Sequence, residues 1–289
     1  MIDPVVCISV SARPIRIGAV SFINTLPLID GLENLADVEI RYAVPSRLLD
    51  TLLDDEVDVA LCSSIDYQRS EIPLVIVPCG LLGCDGPTQT VRLYSAGPLD
   101  RIAEVHCDTD SHTSVALLQI LLREMHGCTP RLVDFDARGH ASGDWPPALL
   151  LIGDKVVIDA PPDARYPQQL DLGAAWVDLT GLPFVFALWL ARRDAEACVI
   201  DAAASILDRQ RRYNTERLDL IIERKARPRG WPADMAASYL KGKLAFELTD
   251  QRRRGLELFY LKACEHGLIE RRRSLEMAGT TSPNSERSG

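Results

Sequence analysis

Short apolar runs that end in hydroxyl-bearing residues constrain the fold of this chain more than any other feature of its sequence. Residues 15–20 are apolar and β-branched and stop at Ser21, and residues 57–61 stop just before Ser63 and Ser64. Runs of this length and composition predict buried strands that feed loops. Because helical patterns separate such runs along the chain, we expect an α/β sheet with hydroxyl groups at the ends of its strands.

The next segments continue the alternation. Pro45-Ser46 predicts the start of an amphipathic helix with Ser46 as its N-cap. Residues 74–78 and 91–95 predict two further strands, separated by a glycine-rich stretch at 80–86. A second structural unit is expected to begin after Gly97, and its first strand is expected at 102–107.

The most informative local segment is the start of the helix predicted at 115–125. Ser111, Thr113 and Ser114 lead directly into this apolar helix. A helix N-terminus carries unpaired N–H groups and a partial positive charge, so hydroxyls placed there suit an anion such as a carboxylate. A helix cap alone also explains Ser111 or Thr113, and the segment by itself leaves both interpretations open.

The length and net charge of the chain limit the number of domains and the kinds of partner that it can have. The 289 residues have room for two domains, and the spacing of apolar residues from 195 onward predicts a helical C-terminal third. A net charge of −9 argues against nucleic acid as a partner. No apolar run reaches the roughly 18 residues of a membrane span, and the first residues lack a secretory signal, so we expect a cytoplasmic protein.

Motifs for metals, nucleotides and covalent catalysis are missing from the sequence. The 8 cysteines lack the spacing of a zinc site, so we expect them to be reduced and mostly buried, and we expect no metal. No phosphate-binding loop of the GxxxxGK[ST] or GxGxxG type occurs, which removes support for a nucleotide cofactor. No GxSxG motif supports a serine hydrolase.

Five segments, in order along residues 15–270, carry a resemblance to a known family. Together they resemble the MqnA-type chorismate dehydratases of menaquinone biosynthesis. The segments are Ser21-Phe22-Ile23-Asn24-Thr25-Leu26-Pro27-Leu28, Ser63-Ser64-Ile65-Asp66-Tyr67, residues 108–114, Ile152-Gly153-Asp154, and Asp171-Leu172-Gly173 with residues 180–189.

The resemblance implies a two-lobed α/β fold like that of type II periplasmic binding proteins, with a ligand cleft between the lobes and helices at the C-terminus. On this basis we expect lobe 1 at 15–97, completed by 188–275, and lobe 2 at 98–187. Residues 276–289, rich in Ser, Thr, Gly and Pro, are expected to form a disordered tail.

The resemblance also implies an activity, the dehydration of chorismate to 3-[(1-carboxyvinyl)oxy]benzoate by the futalosine route. The substrate is a small carboxylate, and no cofactor is implied, because aromatisation of the ring supplies the driving force. The enzyme then has chiefly to position chorismate and to stabilise developing charge.

Site residues follow from the matched segments. Asn24 corresponds to the family's active-site asparagine and is our candidate catalytic residue. One substrate carboxylate is expected at the helix start and the other at hydroxyls of the opposite lobe. The candidate substrate-binding residues are Ser21, Ser63, Ser64, Thr88, Thr90, Ser111, Thr113, Ser114, Gly153 and Asp154.

The sequence does not identify the general base that takes the proton. An asparagine amide has no useful basicity, so Asn24 cannot take the proton. The enolpyruvyl carboxylate of the substrate is one hypothesis, with Asn24 orienting it or the departing hydroxyl. Asp154 is the other, although a structural role as a cap or loop tie explains it as well. His112 is assigned at most to binding.

Three other functions compete. The sister enzyme 1,4-dihydroxy-6-naphthoate synthase shares the implied fold, but its early Cys-Pro-Asn-Asp loop is missing here. A solute-binding protein for a small carboxylate would need export, and a cytoplasmic sensor would be favoured by a helix-turn-helix, which the C-terminal pattern does not clearly show. The sequence does not determine the oligomeric state.

Overall fold

Two β-sheets organise the chain, and the polypeptide crosses between them twice. The computed structural model describes residues 13–137 and 145–279. Its strands are β1 (Ile15–Ala19), β2 (Val38–Tyr42), β3 (Val59–Ser63), β4 (Leu74–Cys84), β5 (Val91–Ser95), β6 (Glu104–Asp108), β7 (Arg131–Phe135), β8 (Ala148–Ile152), β9 (Gln168–Asp171), β10 (Phe184–Arg192) and β11 (Leu244–Ala245).

Helices cover both sheets and dominate the C-terminal third, as predicted. They are α1 (Leu26–Ile29), α2 (Pro45–Leu53), α3 (Asp66–Arg69), α4 (His112–His126), α5 (Lys155–Ile158), α6 (Leu172–Thr180), α7 (Ala197–Glu216), α8 (Leu218–Lys225), α9 (Ala233–Gly242) and α10 (Asp250–Glu265). Within the described ranges, no helix is long and apolar enough to cross a membrane.

The first sheet has the strand order β11-β4-β10-β3-β1-β2. Strand β1 runs parallel to β2 and β3, whereas β10 runs antiparallel to β3 and β4. The second sheet has the order β7-β6-β8-β5-β9, with β6 parallel to β7 and β8, and β5 antiparallel to β8 and β9. Each sheet with its helices forms one lobe, which is the predicted two-lobed α/β architecture.

The sheets divide the chain at points that differ from the predicted lobe boundaries. Strand β5 was expected in lobe 1 but pairs with β8 and β9 in the second sheet. Residues 184–187 were expected in lobe 2 but belong to β10 of the first sheet. Hydrophobic pattern identifies a buried strand, but it does not reveal which sheet supplies its partners.

The predicted tail also begins too early. Glu276 accepts a hydrogen bond from the backbone N–H of Ile76 at 2.8 Å, and Ala278 donates one to the Ile76 carbonyl at 2.8 Å. Residues 276–279 therefore extend along β4, while residues 280–289, the rest of the predicted tail, lie outside the described residues.

Two local predictions need correction. The glycine-rich stretch does not interrupt a strand, because β4 passes through Gly80 and Gly83. At Gly83 a side chain would bring its Cβ to 2.7 Å from the carbonyl oxygen of Phe184, so glycine permits the close approach of β10. Helix α2 begins at Pro45 with Val44 as its N-cap, so Ser46 lies inside the helix and does not cap it.

An aromatic cluster joins the two lobes behind the cleft. Trp176 of α6 lies edge-on to Phe184 of β10, with their ring centroids 5.3 Å apart. Phe184 lies in turn 4.9 Å from Phe259 of α10. All three side chains are fully buried, so the apolar core continues from the second lobe into the first.

Candidate active site

The candidate site is a cleft between the lobes, with a cavity volume of about 50 Å³. A space of this size holds only a few waters. Among the described residues that line it, none carries a charged side chain. The lining comprises Val20, Phe22, Asn24, Thr25, Pro45, Leu61, Ser63, Leu82, Thr88, Thr90, Val91, Ser111, Ser114, Ile152, Gly153, Phe186, Ala187, Tyr239 and Leu244.

Most of the predicted site residues meet in this cleft, although they are far apart in the chain. The strand-and-helix alternation places them after β1, at the ends of β3 and β8, in the loop between β4 and β5, and at the start of α4. The predicted residues that line the cleft are Asn24, Ser63, Thr88, Thr90, Ser111, Ser114 and Gly153. Those that do not line it are Ser21, Ser64, Thr113 and Asp154, and Ser21 is exposed to solvent.

The start of α4 presents two hydroxyls to the cleft. The Ser111 side chain caps the helix by accepting a hydrogen bond from the Ser114 N–H at 3.3 Å. The hydroxyl oxygens of Ser111 and Ser114 lie 3.1 Å apart. Both are buried, so the partial positive charge at the start of this 15-residue helix acts on the cleft through two hydroxyls that are largely shielded from solvent. Capping and anion binding are therefore compatible at this helix start.

Ser64 and Thr113 act in the packing of the lobes. The Ser64 hydroxyl donates to the carbonyl of Val185 at 2.8 Å. The Thr113 hydroxyl accepts from the Ile65 N–H at 3.1 Å and lies 3.3 Å from the Ser64 hydroxyl. This network fastens α4 to the end of β3 and directs both side chains away from the cleft.

A second hydroxyl group in the cleft comes from Thr90 together with Tyr239. Their side-chain oxygens are 2.6 Å apart, and burial raises the pKa of Tyr239, against the influence of Thr90 and Asn24 beside it. The pair holds two hydroxyl protons and uses one between its members, so the other can be donated to a ligand. Tyr239 was not predicted, because a tyrosine in a C-terminal helix carries no local sign of contact with Thr90.

Thr88 is engaged differently from Thr90. Its hydroxyl donates to the Asp171 carboxylate at 3.3 Å and accepts from the Val91 N–H at 3.0 Å. The hydroxyl proton of Thr88 is thus already used within the protein, which leaves Thr90 as the better donor on this side of the cleft.

Asn24 lies in the 3₁₀ helix Ile23–Thr25, immediately after β1. Its side-chain oxygen is buried and has no hydrogen-bond partner among the described residues. A buried acceptor without a partner costs free energy, which a hydrogen bond from a water or a ligand removes. Because Asn24 lines the cleft, this oxygen can accept such a bond from a bound ligand.

Asp154 ties the two lobes together. Both of its carboxylate oxygens lie 3.4 Å from the backbone N–H of Ile23, next to Asn24, and its side chain does not cap α5. Burial raises the pKa of Asp154 to about 6. Gly153 precedes it with a φ of 74°, and a Cβ there would lie 3.2 Å from the Phe22 ring. This junction thus supports the alternative that Asp154 ties loops together.

The raised pKa of Asp154 predicts a pH-dependent stability difference for Asp154→Asn. The folded state binds this proton more tightly than the unfolded state, so the stabilisation is complete below about pH 4 and is lost as the pH rises through about 6. The free energy of unfolding of the variant, relative to wild type, should therefore increase with pH, by at most about 1.4 kcal/mol per pH unit. Urea titrations at several pH values measure it.

Asp194→Asn is a control for which the relative free energy of unfolding should change with pH in the opposite direction. A hydrogen bond from Arg192 holds the pKa of the exposed Asp194 below its usual range, so this carboxylate stabilises the fold only once it is ionised. A relative stability of Asp154→Asn that fell or stayed flat with rising pH would contradict the assignment.

Ionisable groups near the helix start are paired with one another. His112 lies 2.8 Å from the buried Asp66, whose hydrogen bond raises the pKa of the imidazole, and it does not line the cleft. Lys155 lies 2.5 Å from Asp108 and 2.6 Å from Asp110. Within the described ranges, no three His, Cys, Asp or Glu side chains are placed to hold a metal ion.

Comparisons with known proteins identify the family of this chain. A family model described as menaquinone biosynthesis matches residues 15–265. The chorismate dehydratase of Thermus thermophilus is 30% identical over 261 residues, covering 86% of this chain and 94% of that protein.

Solved structures share the fold at low sequence identity. Protein AF1704 from Archaeoglobus fulgidus superposes with a TM-score of 0.70 at 16% identity, covering 90% of this chain and 100% of the other. The periplasmic aliphatic sulphonate binding protein SsuA from Escherichia coli gives 0.59 at 16% identity, covering 90% and 95%. These likenesses confirm the predicted periplasmic-binding-protein-like fold. With the family model spanning residues 15–265, the chain belongs to the menaquinone biosynthesis family, which the resemblance to chorismate dehydratases predicted.

Proposed function

We propose that this protein removes water from chorismate to give 3-[(1-carboxyvinyl)oxy]benzoate. The observation that carries the proposal is the buried, unpartnered Asn24 oxygen in an uncharged cleft, with serine hydroxyls at the start of α4 on one side and Thr90 with Tyr239 on the other. Two separate groups of donors suit a substrate with two carboxylates. Family membership and the chorismate dehydratase relative support the same reaction.

The reaction breaks two bonds from ring carbons to substituents and forms one double bond within the ring. The C3–H bond gives up a proton, the C4–O bond gives up hydroxide, and a double bond forms between C3 and C4, so that the ring becomes aromatic. Proton and hydroxide leave as one water. Because charge develops on the ring carboxylate as the proton departs, donors aimed at that carboxylate stabilise the transition state.

We assign the ring carboxylate to Ser111 and Ser114, where the helix dipole favours negative charge. The enolpyruvyl carboxylate is assigned to Thr90 with Tyr239, helped by Ser63 at the end of β3. Asn24, between these groups, orients the departing hydroxyl through its side-chain oxygen. Opening of the lobes admits the substrate, because the cavity between them holds only a few waters.

The proton acceptor is assigned to the substrate's own enolpyruvyl carboxylate. Among the described lining residues, the only ionisable side chain is Tyr239, and burial keeps that phenol protonated by raising its pKa. Asp154 faces the Ile23 N–H and does not line the cleft. A carboxylate brought in by the ligand fills the missing role without any cofactor.

The test is to incubate the purified protein with chorismate and to follow the loss of one water by mass spectrometry. Formation of the enolpyruvyl benzoate at a catalytic rate would establish the activity. Binding of chorismate without turnover would favour a binding protein or sensor. Turnover of the dihydroxynaphthoate precursor instead would favour the sister enzyme, and no binding at all would refute chorismate as the ligand.

Ser114→Ala should weaken substrate binding more than it slows the chemical step. The variant loses one hydroxyl donor at the helix start but keeps the Ser111 cap, so we expect KM to rise about tenfold and kcat to change less, in keeping with one lost hydrogen bond to a charged group. Steady-state kinetics measure both constants. Ser205→Ala on α7, which removes a hydroxyl bonded to the Asp201 carbonyl, is the matched control. An unchanged KM in Ser114→Ala would contradict the carboxylate assignment.

A further inference from the structure

A single carboxylate, that of Asp171, holds the loop that carries Thr88 and Thr90 between β4 and β5. One of its oxygens accepts from the N–H of Thr88 at 2.9 Å. The other accepts from the N–H of Gln89 at 2.7 Å and from the Thr88 hydroxyl at 3.3 Å. Three donors of one short loop thus converge on one side chain from the opposite strand, β9.

The loop needs this support because its backbone is unusual. Gln89 has a φ of 66°, in the left-handed region that residues with a side chain seldom adopt. Such a conformation persists when surrounding contacts determine it, and here the contact on the Gln89 N–H is Asp171. The direction in which Thr90 leaves the loop depends on this turn.

Gly173 allows the loop between β4 and β5 to pack closely against the start of α6. A Cβ at this position would lie 2.4 Å from the Thr88 Cγ2, 2.5 Å from the Gly86 carbonyl oxygen and 2.7 Å from the Cys84 sulphur. No side chain fits there without movement of the loop. Asp171 and Gly173 therefore act together: the first binds the loop and the second leaves room for it.

Asp171 also has a structural role, and its two oxygens share the roles unequally. Its Oδ1 caps α6 by accepting from the N–H groups of Gly173 and Ala174, both at 3.1 Å, and it also holds the Thr88 N–H of the loop. Its Oδ2 serves the loop alone, accepting from the Gln89 N–H and the Thr88 hydroxyl. One substitution at Oδ2 can therefore remove the contact to Gln89 while the cap is kept.

We propose that Asp171 is a positioning residue, which sets the turn at Gln89 and thereby aims Thr90 at the substrate. The inference rests on the proposed function in so far as Thr90 binds a substrate carboxylate. Asp171 does not line the cleft and acts through the loop.

Asp171→Asn separates the roles. Asparagine is as good an N-cap as aspartate, so its side-chain oxygen can keep the contacts to α6, while its NH₂ group replaces Oδ2 and cannot accept from Gln89. We expect nearly wild-type Tm, faster hydrogen exchange at the Gln89 amide by about tenfold or more, and a KM for chorismate raised at least about tenfold with a smaller change in kcat.

Asp58→Asn is the matched control, because Asp58 accepts from the Arg16 N–H and pairs with Arg13 and Arg16, and none of these residues belongs to the loop. It should lower Tm while leaving KM and the Gln89 exchange unchanged. Unchanged Gln89 exchange in Asp171→Asn would overturn the proposal, as would an unchanged KM if the wild-type protein turns over chorismate. Since exchange is measured without substrate, it decides the positioning role even if the wild type proves inactive and the proposed function fails.

Discussion

Asn24→Ala should abolish most dehydration of chorismate while leaving the fold intact. The Asn24 oxygen is buried beside the cleft and has no hydrogen-bond partner among the described residues, so within the protein the substitution removes only the contact of the amide with Tyr239. A group that orients the departing hydroxyl acts mainly in the transition state. We therefore expect kcat to fall by about a hundredfold or more, as for loss of one positioned transition-state contact, with a smaller change in KM.

Single-turnover kinetics with thermal unfolding of the same sample measure this result. Asn34→Ala is the matched control, since Asn34 lies exposed in the 3₁₀ helix Leu32–Asn34, outside the cleft lining. Its kcat should equal that of wild type. If Asn24→Ala retained full kcat, Asn24 would have no part in the mechanism, and if its Tm fell by roughly 10 °C, the loss of activity would reflect unfolding.

Local signals were sufficient to predict the layers of the fold. Strands β1, β3 and β8 are short apolar runs closed by polar residues, and each can be recognised within a few residues of sequence. The helix start at Ser111 was predictable for the same reason. The sheet to which each strand belongs could not be predicted in this way. Strand β5 pairs with β9, almost eighty residues later in the chain, through backbone N–H and C=O groups, and these groups do not differ from one sequence to another.

Periodicity explains why only one hydroxyl of each neighbouring pair lines the cleft. Ser63 and Ser64 are neighbours at the end of an extended strand, where successive side chains point to opposite faces, and only Ser63 lines the cleft. Thr113 and Ser114 are neighbours on a helix, where successive side chains differ by about 100°, and only Ser114 lines it. The sequence could thus predict that one member of each pair faces the cleft but not which one.

Contacts between distant segments were beyond the reach of the sequence. Tyr239 meets Thr90 from a helix that begins more than a hundred residues later, and no motif surrounds it. Lys155 adjoins the recognised Ile152-Gly153-Asp154 segment, yet its burial between two aspartates depends on where β6 and β8 pair. Such residues are found only when the tertiary structure brings their partners together.

Lys155→Met should destabilise the protein strongly. The Lys155 ammonium is buried between Asp108 and Asp110, and Asp108 also accepts from the Ile152 N–H at 3.3 Å. Both carboxylates have at most 2% of their side-chain surface exposed, so methionine would leave buried negative charge without its cation. Breaking a buried ion pair in this way costs about 3–5 kcal/mol, or roughly 10 °C in Tm for a chain of this size.

The pH dependence distinguishes lost charge pairing from lost packing. Burial raises the pKa of Asp108, and Lys155 acts in the opposite direction, so the variant should raise that pKa further. A carboxyl whose folded-state pKa is raised stabilises the fold only while protonated. The deficit of Lys155→Met should therefore be largest near neutral pH and shrink as the pH falls through that pKa.

Urea unfolding at several pH values, with Lys241→Met alongside, measures both effects. Lys241 pairs with Asp219 at the surface, where both side chains are largely solvated, so its loss should cost less than about 1 kcal/mol. A deficit in Lys155→Met that did not change with pH would mean that methionine disturbs packing, because a misfit side chain does not depend on protonation. A deficit as small as that of Lys241→Met would mean that water reaches Asp108 and Asp110 once the lysine is gone, so that the two carboxylates are solvated in the variant.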